Sequence, residues 1–271
     1  MTILFRLHAT AAPTHSLVGS SLAVAGFQMR RLLSRQRLML ASLGVLFPAA
    51  VMLAVRRTAA DGLDRDLAVA MLYALVPEAV CMLGLLMTMC PAVADELERG
   101  TWIHVAVRPG GRKALLLGTY LTAVLWTSVV AILAVLLALI AAQVPQPVPL
   151  FGVLSTLVVL SCLGRAALFA LPAVILPKRA LVASVAVALV VEYLAGFIPA
   201  VINQATVSLR LRSLLVQWMG WRQYMPVEMQ LLIDPQPAAV QVAAVVVLAA
   251  VLLTAAAAIL EYRQFPPSEE V

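Results

Sequence analysis

The stretch ALLLGTYLTAVLWTSVVAILAVLLALIAA, residues Ala114–Ala142, carries no charged side chain. Crossing a hydrocarbon core about 30 Å thick takes about 20 helical residues, and this run exceeds that. Its Ala, Leu and Val show none of the apolar–polar alternation of a barrel strand, so it reads as a membrane-spanning helix. Five further stretches read the same way: Leu38–Val55, Leu67–Ala94, Leu150–Leu176, Ala180–Ile202 and Ala238–Leu260. The whole chain agrees with them. Of its 271 residues 63% are hydrophobic and 12% charged, with a mean hydropathy of +1.01. Soluble domains average about 45–50% apolar and about 25% charged, so this apolar excess needs a bilayer. Disorder, disulfide frameworks and ordinary cytosolic enzymes are excluded.

The expected fold is therefore an all-α membrane protein with six transmembrane helices. Residues 1–37 form a cytoplasmic N-terminal segment, 38–260 the membrane domain and 261–271 a cytoplasmic tail. Pro48, Pro77 and Pro172 fall inside spans, where neighbours can satisfy the carbonyls a proline frees. Placing the N-terminus inside puts 12 of the 19 Lys and Arg residues on that side and leaves Arg165 within the membrane. That bias puts both termini in the cytoplasm. The first 25 residues are not expected to be a cleaved signal, because Pro13–Ser16 breaks the apolar run and cleavage would export the Arg30–Arg37 cluster.

Two segments read as amphipathic. Phe27–Leu40 interleaves Arg30, Arg31, Arg35 and Arg37 with leucines, the pattern of an elbow helix along inner headgroups. Near Val207–Trp221, Leu211, Leu214, Leu215 and Trp218 form a helical stripe, expected as an outer-face interfacial or re-entrant helix. No internal repeat is evident. The net charge of +6 sorts with the membrane, and no nucleic-acid-binding motif accompanies it. Cys81, Cys90 and Cys162 lack metal-ligand spacing and read as small buried hydrophobes, so no metal site is expected.

Charge that a bilayer would reject marks candidate sites. Glu78, Arg165 and Glu192 sit near mid-bilayer, where each costs at least about 2.5–3.5 kcal/mol on insertion scales. They are expected to pair inside the bundle, either along a translocation path or as a structural lock; the partner of Arg165 is open between the two carboxylates. The longest charged cytoplasmic stretch runs from Asp95 to Lys113. Asp95 and Arg99 are spaced as an i,i+4 pair, Gly100 permits a change of direction, and Thr101 can cap a short helix to Val107 that Pro109-Gly110-Gly111 ends. A short helix held at both ends by spans can act as a lever for a soluble partner. His104 has no ligand partners spaced for a metal and reads as surface of that helix.

The run Glu96-Leu97-Glu98-Arg99-Gly100-Thr101, followed by Arg108-Pro109 and by Leu117-Gly118-Thr119-Tyr120-Leu121, resembles the permease subunits of type-2, exporter-like ABC transporters. The six-span layout, the basic N-terminal helix and the closing Glu261-Tyr262-Arg263-Gln264-Phe265 are similar too; Thr119 stands where that family usually carries Lys, and two glycines follow Pro109. The resemblance implies a coupling helix at Thr101–Val107 and a second contact at Pro177-Lys178-Arg179. Glu96, Glu98, Arg99, Gly100, Thr101, His104, Arg108, Lys178 and Arg179 would then couple the permease to an ATP-binding subunit. It also implies a homodimer or heterodimer of permeases in the cell (inner) membrane, exporting substrate. The chain holds no GxxxxGK[ST] loop, so ATP and Mg would be bound by the partner and the chain itself would not be an enzyme. A rival reading is an ATP-independent carrier using Glu78 and Glu192 as proton sites.

Overall fold

The computed structural model describes residues 17–58, 63–98, 100, 102, 107–108, 110–194, 206–224 and 236–263. The described residues are helical, without a strand among them. In chain order the helices are α1 (Leu17–Leu32), α2 (Arg35–Thr58), α3 (Arg65–Glu98), α4 (Gly111–Ala142), α5 (Pro147–Ile175), α6 (Ala180–Val187, continuing in wider π turns over Ala188–Leu194), α7 (Val207–Met219) and α8 (Ala238–Tyr262). Among the described residues α2, α3, α4, α5 and α8 are long and apolar enough to cross a membrane, which makes this an all-α membrane protein. The expected span at 180–202 is helical as far as Leu194, and its remainder lies outside the described residues.

Burial orders the bundle. The apolar stretch of α5 is 78% buried, against 11% for α2 and 17% for α8. Thus α5 is the central post, and α2 and α8 present most of their surface outward, as lipid-facing helices do. Helix α4 packs on α1, α2 and α5, while α8 lies along α5. Small residues permit the close approaches. A methyl group added at Gly118 would lie 2.7 Å from Val24 and 2.8 Å from the Ser21 carbonyl oxygen, so α1 can rest on α4 only with glycine there. Gly164 of α5 meets Val207 of α7 in the same way, at 2.8 Å.

The expected amphipathic helix Phe27–Leu40 is replaced by two elements. Helix α1 begins ten residues earlier, at Leu17, and the chain breaks at Leu33-Ser34. The Ser34 carbonyl accepts from Leu38 N–H at 3.0 Å and so opens α2, the role serine favours at a helix start. The first span accordingly begins at Arg35 rather than Leu38.

One end of the bundle is basic and latched by arginines. Arg112, at the start of α4, donates to the carbonyls of Leu260 (3.3 Å), Glu261 (2.9 Å) and Arg263 (3.1 Å), the unsatisfied C-terminal end of α8. Arg263 in turn reaches the Val174 carbonyl at 3.0 Å and that of Ile175, closing the end of α5. Lys113 pairs with Glu261 at 2.9 Å. Cations that sequence reasoning assigns to topology thus also terminate helices.

Candidate functional site

The site begins with a proline. Pro77 has no N–H and its ring crowds the preceding turn, and α3 widens into π geometry over Ala74–Val80. In that turn Cys81 N–H bonds to the Val76 carbonyl, one residue further back than in an α-helix, which releases the Pro77 carbonyl. Two donors from α5 take it up. Ser161 Oγ donates to it at 2.7 Å and Arg165 Nη1 at 2.5 Å. Ser161 and Arg165 are four residues apart, so one face of α5 presents both. Arg165 Nη1 also reaches Ser161 Oγ at 2.8 Å.

The other arm of the guanidinium gathers the carboxylates. Nη2 bonds to Glu78 Oε2, donates to Ser208 Oγ at 2.9 Å and lies 3.5 Å from Glu192 Oε2. Tyr73 OH donates to Glu78 Oε1 at 2.7 Å. Arg165 is fully enclosed, and Glu192 is 1% exposed. Both carboxylates therefore share Arg165: Glu78 is bonded directly, and Glu192 is the nearby second.

Two buried carboxylates exceed one guanidinium by a negative charge. The beginning of α7 compensates for it. Val207 and Ser208 N–H donate to Glu192 Oε1 and Oε2 at 3.2 and 2.9 Å, and Ser208 Oγ adds a bond to Oε2 at 2.5 Å. A helix N-terminus carries roughly half a positive charge, so it suits a carboxylate. Thr206 caps the same turn by accepting from Leu209 N–H at 3.3 Å. Helix α7 thus starts inside the bundle. Its stripe residues Leu211, Leu214 and Leu215 are buried, as are Ser208 and Ser213, so of the interfacial and re-entrant placements expected for this segment the stripe packs into the protein as a re-entrant helix would; Trp218 is half-buried near its end.

The two carboxylates occupy matching places. Ala74-Leu75-Val76-Pro77-Glu78 recurs as Ala188-Leu189-Val190-Val191-Glu192, and each glutamate is the fifth residue of a seven-residue π segment. Helix α3 runs toward the basic end and α6 runs away from it, so the two π segments are antiparallel. Ser208 carried no sequence signal; the spacing of Ser161 from Arg165 did.

A groove of about 870 Å³ opens between α2, α3, α4 and α6. Its wall includes Ala79 and Val80 but none of Glu78, Arg165 and Glu192. The charge cluster therefore faces inward, between helices, and does not line this groove. At the basic end the groove is bordered by Arg37, Glu98, Lys178 and Arg179.

The expected coupling residues divide. Glu98, Arg108, Lys178 and Arg179 are exposed, and the end of α3 packs on the Pro177–Arg179 turn, so Glu98 and the two cations share one face. Gly100 has φ of +67°, a left-handed turn that glycine adopts without strain, as its expected change of direction requires. Glu96 is buried, with Oε1 3.6 Å from Arg31 Nη1, while Asp95 bonds Arg31 Nη2 at 2.8 Å. These acids hold α1, and Glu96 is buried against it rather than on the exposed face of Glu98. Trp102 is buried beneath Arg112, whose guanidinium lies 5.7 Å from its ring centre. Arg99, Thr101 and His104, with most of the expected coupling helix, lie outside the described residues. No family model matches the chain, and no curated protein does.

Proposed function

We propose that the chain is the membrane-spanning permease subunit of an ATP-driven ABC transporter, working as an exporter. In this reading six spans cross the cell membrane with both termini cytoplasmic, and a second permease, identical or similar, completes the path. ATP and Mg are held by a separate subunit docked on the basic end. The observation that carries the reading is the gathering of Glu98 and the Lys178-Arg179 turn on one exposed face, each at the end of a membrane helix that borders the groove. Closure of the ATP-binding pair would push on these ends and move α3 and α6 against α2 and α4, altering the groove. The permease supplies the difference in contacts between two states, and the partner supplies the free energy. The surplus carboxylate at Glu78 and Glu192 favours a second reading, a carrier driven by an ion gradient, which would need no partner ATPase.

Charge reversal separates these readings. Lys178→Glu/Arg179→Glu, alone or with Glu98→Lys, is expected to release an ATP-binding chain that copurifies with the tagged protein, because reversing interface charges costs about 2–5 kcal/mol when the pairs are desolvated. Arg57→Glu at the opposite end leaves recovery unchanged. If all variants retain the partner equally, the docking face is elsewhere.

A further inference from the structure

We propose that the groove between α2, α3, α4 and α6 binds an anionic amphiphile from the leaflet at the basic end, its acyl chain along the groove wall and its phosphate-type headgroup on Arg37, Lys178 and Arg179. On α2 the groove runs from Arg37 to Phe47. Ten helical residues rise about 15 Å, half of the roughly 30 Å hydrocarbon thickness. The occupant thus fits one leaflet: a head at the interface and a chain reaching the midplane. The wall is mainly apolar over that depth, with Thr88 and Thr127 as polar exceptions, and Phe47, Leu83 and Met87 are each at least half exposed.

The mouth selects charge. Three cations border it against one carboxylate, Glu98, and none of the four has an ion-pair partner among the described residues. Each cation near a headgroup contributes about 1 kcal/mol toward an anionic lipid. A neutral lipid would leave this excess unanswered, and free phosphate would leave the wall empty. A second copy seated face to face would oppose three cations with three more, since a two-fold contact repeats the same patch. As a substrate class the assignment rests on the transport reading; as a binding site it stands without it.

Trp126 lines the groove and reports occupancy. The full chain in non-ionic detergent would be titrated with brominated phosphatidylglycerol or brominated phosphatidylcholine, with the Trp126→Phe chain isolating that residue's emission. Brominated phosphatidylglycerol is expected to quench Trp126 saturably and phosphatidylcholine at least tenfold more weakly. Arg37→Gln/Lys178→Gln/Arg179→Gln should weaken the anionic lipid on the order of tenfold to a hundredfold. Gly44 lies on the wall with its nearest neighbours 3.9 Å from an added methyl, so Gly44→Leu should fold, fill the groove and abolish saturable quenching. Equal quenching by both lipids, or quenching untouched by the triple and the Leu variants, overturns the proposal. So does a dimer that these variants dissociate while quenching persists, because the groove is then a seam between copies. Lys178 and Arg179 also lie on the proposed docking face, so Gly44→Leu separates the two readings: it should abolish saturable quenching in this titration, which contains no ATP-binding chain, while an ATP-binding chain still copurifies with it.

Discussion

Arg165→Leu is expected to abolish folding of the bundle, seen as loss of monodisperse protein and of a cooperative thermal transition in detergent. Arg165 joins three elements: the released Pro77 carbonyl and Glu78 of α3, Ser161 of its own α5, and Ser208 at the start of α7. Removing one member of a buried ion pair costs about 3–5 kcal/mol, because the remaining charge stays buried without compensation. Here two carboxylates would remain. Arg165→Lys is expected to recover little. A single ammonium cannot reach the Pro77 carbonyl and Ser161 with one arm and Glu78 and Ser208 with the other, as the planar fork does. A melting temperature unchanged in Arg165→Leu would show that the cluster contributes nothing to stability.

Glutamine substitution of the two carboxylates is expected to be strongly non-additive. Glu78→Gln leaves Arg165 with Glu192 at 3.5 Å, and Glu192→Gln leaves it bonded to Glu78 while an amide oxygen still accepts from the α7 N-terminus. Each single change balances one cation with one anion; Glu78→Gln should cost less than about 1 kcal/mol, and Glu192→Gln about 1–3 kcal/mol, because both Glu192 oxygens accept backbone N–H groups and the amide nitrogen would face one of them. The double variant leaves a fully buried guanidinium without a counter-charge, at about 3–5 kcal/mol. A double-mutant cycle on thermal melts in detergent reads the coupling directly. Additive effects would mean that the two carboxylates do not share Arg165.

Spans were legible because the bilayer demands long apolar runs, and Ala114–Ala142 differs from the observed α4 only by three residues at its start. The placement of α7 stayed open between an interfacial and a re-entrant helix. A stripe of Leu211, Leu214, Leu215 and Trp218 suits a helix lying at an interface and one packed beneath a protein surface equally well, because periodicity gives the apolar face and not what covers it. What decides is the carboxylate of Glu192 at its N-terminus, fifteen residues earlier in the chain. Glu96 misled for a similar reason. In sequence it belongs to a charged run flanking the membrane, yet Arg31, distant in the chain, draws it into the contact with α1. The three intramembrane charges were legible as a group because each alone is costly in lipid. Which carboxylate pairs with Arg165 required the π turns of α3 and α6, and the Ala-Leu-Val-x-Glu match that marks both is too short to stand out among 63% hydrophobic residues.

The proposed role stands or falls on a separate source of ATP hydrolysis. Tagged wild-type chain would be extracted from its native host in mild detergent, with and without prior cross-linking, and its copurifying proteins identified and assayed for ATPase activity. A chain bearing a GxxxxGK[ST] loop is expected in one-to-one ratio with this one, with hydrolysis that depends on it. An intact, folded preparation with no such chain, even after cross-linking, would contradict it.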